Sequence, residues 1–145
     1  MTTLLVPIDD STAATTAARY AGELARSHPG THLLLLNVQQ SLERRFTHGM
    51  HSKAARDHLK ERGEQATSAS RAVLDRSACP YEFMIAFGRP ADVIARVAQE
   101  RGCRGIVMGT RNLGTLGSLL FGSVAGDVLQ RSRVPVTLVP AGHAG

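Results

Sequence analysis

The residues best suited to chemistry lie between Gly105 and Pro140. Ile106 to Met108 is a short apolar run that stops at Gly109, and a loop rich in Gly, Thr and Ser follows. Gly122-Ser123 then opens an apolar helical run, Val124 to Leu129, and Val134 to Val139 reads as one more strand. The order is strand, glycine loop, helix, strand. Such a segment can hold phosphate. Glycine lets backbone N–H groups approach an anion, and a helix start presents unpaired donors with a partial positive charge. The N–H groups of Gly122, Ser123 and Val124 would supply those donors, the Ser123 hydroxyl adds another, and Gly109 lets the chain pass close to the ligand. The plainer alternative is a helix start with a polar N-cap.

Other phosphate machines are excluded by their own requirements. A Walker loop needs G-x-x-x-x-G-K-S/T, but the only lysines are Lys53 and Lys60, far from this loop. A dinucleotide fingerprint needs G-x-G-x-x-G after the first strand, where this chain reads Asp9-Asp10-Ser11-Thr12. Asp9-Asp10 also resembles the acidic pair of receiver domains. Those need a phospho-accepting Asp at a later strand end and a Lys after the fifth strand, and here Asn37, Gly88 and Pro140 stand at those places. Phosphate charge must then be met by backbone dipoles, a divalent ion and Arg111, which reads equally as a surface charge.

The remaining reactive side chains form no set. His48, His51 and His58 cluster in a polar stretch, but zinc sites favour tighter spacing and more ligands. Cys79 and Cys103 form no C-x-x-C pair and read as ordinary thiols. No pair of carboxylates is placed for acid–base work, and no general base is evident. ATP turnover would therefore be slow at most. Thr115 and Ser118 are the candidate acceptors for self-phosphorylation.

The elements that must position these residues alternate. Leu4 to Ile8 is an apolar run ending at Asp9-Asp10, and Ser11 caps the next helix. In that helix Ala17, Tyr20, Ala21 and Leu24 share one face, and Pro29-Gly30 ends it. Leu33 to Leu36 reads as a strand buried on both faces, ending near Asn37-Val38. Ser41 to Gly49 reads as a loop, and Ser52 to Arg76 as one exposed helix with Gly63 as its weak point. Tyr81 to Phe87 is the third strand. Pro90 suits the first turn of a helix with Val93, Ile94, Val97 and Ala98 buried. The last helix contains Gly126, read as a site of close packing on the sheet. The predicted fold is α/β: a doubly wound five-stranded parallel sheet, order 3-2-1-4-5, with helices on both faces. Ligands sit at the switch point of such sheets, here between the strand ends at Asp9 and Met108-Gly109.

The same motifs resemble the universal stress protein (UspA) family in its nucleotide-binding branch. Gly109-Thr110-Arg111-Asn112, nine residues, then Gly122-Ser123, is similar to that family's G-x-x-G-(nine)-G-S/T signature. Val6-Pro7-Ile8-Asp9, Gly88-Arg89-Pro90 and Val134-Pro135-Val136 match its other landmarks in order. Asn112 departs from the signature by replacing its second Gly, though Asn tolerates φ > 0 better than other non-glycine residues. The resemblance implies an adenine nucleotide alpha hydrolase-like fold spanning 1–145 as a single domain. It implies ATP, with Mg²⁺, at a site drawing on Pro7, Ile8, Asp9, Val38, Met108, Gly109, Arg111, Asn112, Gly122, Ser123 and Val124. Asp9 would contact adenine or ribose, and Val38 would line the base pocket through its backbone. It also implies a homodimer through Val134 to Val139 and a role in stress response or signalling. The rival is a stress-linked interaction protein without nucleotide, which the Asn112 departure favours.

Bulk properties agree with a globular chain. Its 145 residues suffice for one domain with a sizeable core. Hydrophobic residues make up 43% and charged residues 20%, which excludes disorder. Net charge is +5 and pI about 10.0. The basic residues are scattered, and only 4% of residues are aromatic, so no stacking platform for nucleic acid is visible. No apolar run nears the roughly 20 residues of a membrane span. Without a secretion signal at the start, the expected location is the cytoplasm.

Overall fold

The computed structural model describes residues 1–40, 53–110 and 123–143, with Ser123 described by its backbone alone. Five strands and five helices follow the chain as β1 (Thr2–Pro7), α1 (Thr12–Ser27), β2 (Thr31–Gln39), α2 (Lys53–Ala66), α3 (Ser68–Arg76), β3 (Tyr81–Phe87), α4 (Pro90–Glu100), β4 (Gly105–Gly109), α5 (Ser123–Arg131) and β5 (Val136–Val139). The strands form one sheet in the order β3-β2-β1-β4-β5. Every pairing is parallel. The predicted order 3-2-1-4-5 is the observed one.

Alternation along the strands produces the two-sided core. Leu5, Leu34, Leu36, Ile106 and Met108 pack with Val93, Ile94 and Val97 of α4 and with Val128 of α5. The intervening Val6, Leu33, Leu35 and Val107 pack with Ala17 and Ala21 of α1 and Leu74 of α3. A strand buried on both faces must be apolar at every position, and Leu33 to Leu36 meets that demand.

Three expectations need correction. The stretch read as one helix, Ser52 to Arg76, is two. The break falls at Thr67, not at Gly63, and the fully buried Thr67 hydroxyl donates to the Gly63 carbonyl at 2.8 Å. The last strand begins at Val136 rather than Val134. Ser132 Oγ donates to the Val134 carbonyl at 2.8 Å and accepts the Val134 N–H at 3.1 Å, which holds that residue in a turn. Gly126 does not serve close packing on any described residue, because a Cβ built there meets nothing within 4 Å among them. The segment Ser41 to Gly49, read as a loop, lies outside the described residues, as do His48 and His51. Among the described residues no helix is long and apolar enough to cross a membrane.

Candidate functional site

Parallel strands all end on the same side of the sheet, and there the helices that follow them begin. Between the ends of β1 and β4, which lie side by side, a cleft of about 360 Å³ opens. Pro7, Ile8 and Asp9 come from the end of β1, Leu36, Val38 and Gln40 from β2, and Met108 and Gly109 from β4. Three helices turn their first residues toward it: Ser11, Ala13 and Ala14 at α1, Pro90 and Ile94 at α4, Val124 and Ala125 at α5.

Each start has a local cause. Ser11 is the N-cap of α1, and its Oγ accepts the Ala14 N–H at 3.1 Å. Asp9 Oδ1 accepts the Ser11 N–H at 2.9 Å, so one carboxylate oxygen shapes the turn while Asp9 stays exposed at the rim. That makes Asp9 a turn residue and Ser11 the cap. At α4, Gly88 takes φ +138°, a conformation that excludes side chains, and Pro90 then presets the first helical turn. Gly109 admits a close neighbour of its own. A Cβ there would lie 2.1 Å from the Ala13 carbonyl oxygen. The close approach that the sequence suggested for a ligand is made by the first turn of α1.

The cleft thus gathers seven of the eleven predicted site residues: Pro7, Ile8, Asp9, Val38, Met108, Gly109 and Val124. Ser123 contributes its backbone at the start of α5, while Arg111, Asn112 and Gly122 lie outside the described residues, as do Thr115 and Ser118. Sequence reasoning missed Leu36, Gln40, Ile94, Ala13 and Ala125 as lining residues. Their shared signal is position, within a turn of a strand end or helix start on the carboxyl side. The floor and one wall are aliphatic, and the rim is polar.

No group of three or more His, Cys, Asp or Glu side chains that could hold a metal occurs among the described residues. Both cysteines are free and buried away from the cleft, and burial pushes both thiols up from their ordinary value. The arrangement can receive a small molecule with an apolar body and an anionic part. Among the described residues, the anion would meet helix starts.

The family model described as the universal stress protein family matches residues 1–140. A universal stress protein from Thermus aquaticus, encoded in the QAH/OAS sulfhydrylase 3′ region, is 33% identical over 138 residues, covering 94% of this chain and 97% of the relative. A universal stress protein solved in complex with cAMP superposes with a TM-score of 0.71 at 26% identity, over 95% of this chain and 96% of the other. The universal stress protein from Archaeoglobus fulgidus in complex with dAMP superposes with a TM-score of 0.72 over 95% and 97%. At 23% identity it bears on the fold alone.

Proposed function

This chain belongs to the universal stress protein family, and from that premise we propose that it binds ATP, with Mg²⁺, in the cleft between β1 and β4. The observation that carries the reading is the convergence of three helix starts on one partly apolar cleft. Its size falls in the range of small-molecule sites, which begins at about 300 Å³. Aliphatic side chains of β1, β2 and β4 suit a purine, and helix N-termini suit phosphate. The relative that holds cAMP supports an adenine nucleotide as the ligand class.

In this proposal Leu36 and Val38 form the base wall, and Asp9 stands where a ribose or base edge would pass. The segment from Gly109 through Gly122-Ser123 takes the phosphates, and Mg²⁺ arrives with them, held largely by phosphate oxygens and water. No side chain is assigned to turnover, so the protein acts as a nucleotide-dependent signalling or stress-response component. It works as a homodimer joined at β5, one of the two sheet edges, and in the cytoplasm.

Calorimetric titration with Mg-ATP tests the base wall. Val38→Phe fills that wall and is expected to weaken binding at least about tenfold, or 1.4 kcal/mol. Equal affinity in wild type and variant would move the nucleotide elsewhere. No heat in either would favour a partner-binding role without nucleotide.

A further inference from the structure

Two adjacent strands, β1 and β2, send their ends into the cleft, and one buried side chain joins those ends. Asn37 of β2 is only 2% exposed. Its Nδ2 donates to the Ile8 carbonyl at 2.7 Å, and its Oδ1 accepts from Gln39 Nε2 at 2.7 Å. Ile8 stands one residue beyond β1, and its own N–H donates to the Leu36 carbonyl at 2.8 Å. Ile8 is therefore tied to β2 through both its backbone groups. Asp9 and the cap of α1 follow at once, while Val38, the next residue along β2, lines the same cleft.

A third element closes on the same amide. A Cβ on Gly63 of α2 would lie 2.8 Å from Asn37 Oδ1 and 2.9 Å from Ile85 Cδ1. The amide thus sits among β1, β2 and α2, with a stated partner for its donor and its acceptor. An aliphatic residue of similar size would leave the Ile8 carbonyl without this donor, and an aspartate would set a second acceptor against it.

We propose that Asn37 is the positioning residue of the cleft. Its amide holds the turn carrying Asp9 at a set distance from the end of β2, and so spaces the two strand ends for the ligand. The effect on the ligand rests on the nucleotide reading above, but the effect on the turn does not.

Asn37→Asp keeps the shape and removes the donor. Leu74→Ala, in the core between α1 and α3, loosens the fold without touching the cleft. Two quantities are measured in each: amide hydrogen exchange by NMR in ligand-free protein, and Mg-ATP affinity by calorimetry. In Asn37→Asp the Ile8 and Ser11 amides are expected to exchange at least about tenfold faster relative to Val97 and Ala98 inside α4, with affinity down at least about tenfold. Leu74→Ala should leave both ratios within about threefold of wild type. The proposal is overturned if Ile8 and Ser11 exchange in step with Val97 and Ala98, or if both variants lose affinity equally. Should wild type bind no ATP, the nucleotide reading fails and the exchange ratios alone decide whether Asn37 holds the turn. Should Asn37→Asp not fold, Gln39→Leu, which only releases Asn37 Oδ1, is judged on the same two amides.

Discussion

At the scale of single residues, one letter serves several physical ends. Gly109 precedes a stretch rich in Gly, Thr and Ser, and the sequence alone invites a ligand explanation. Coordinates supply another, since the Ala13 carbonyl occupies the space of its Cβ. Backbone cannot yield as a flexible side chain can. Gly109→Ala should therefore cost about 3 kcal/mol, the upper range of overpacking. Urea unfolding measures it, and a loss below about 1 kcal/mol would mean that α1 shifts freely. Asn37 shows the opposite limit. In the sequence it is a polar residue at a strand end, notable only for not being Asp. Its role depends on Ile8, 29 residues earlier, and on Gly63 of α2. No local pattern joins the three.

Elements were readable wherever local signals were strong. The apolar run Leu33 to Leu36, the stripe Val93, Ile94, Val97 and Ala98, the cap Ser11 and the first-turn Pro90 all placed their elements on the chain. A glycine is the obvious place to break a helix on propensity grounds, yet α2 continues through Gly63 because the residue is packed against Asn37 and Ile85. The chain breaks at Thr67, whose hydroxyl turns back to the Gly63 carbonyl. A tertiary contact decides the first position and a local side-chain hydrogen bond the second, and sequence periodicity reports neither. Gly126 inside α5 has no such contact among the described residues. Gly126→Ala should therefore raise stability by up to about 1 kcal/mol, read as a higher urea midpoint with an unchanged slope. A loss of stability would mean that something outside the described residues fills that space.

For the whole molecule, doubly wound topology does most of the work. It puts the ends of β1 and β4 side by side, brings the starts of α1, α4 and α5 to one cleft, and leaves β5 as a sheet edge. Strand order was readable because right-handed crossovers leave few arrangements. The cleft's position followed from that order, while its width and lining awaited side-chain packing. Among the described residues Val136, Thr137, Leu138 and Val139 form a sheet edge, which invites another strand. Light scattering at micromolar concentration should give twice the chain's 15.5 kDa. A mass of one chain would contradict pairing there.

On the proposed reading, ATP bound in the cleft stabilises this fold. Thermal unfolding of protein stripped of ligand, with and without Mg-ATP, tests it most directly, with Gly122→Glu alongside. At about 100 times its Kd, a ligand that binds only the native state adds about 2.7 kcal/mol. The account predicts a clear rise in Tm for the wild type that the variant loses. An unchanged wild-type Tm at millimolar Mg-ATP would contradict it.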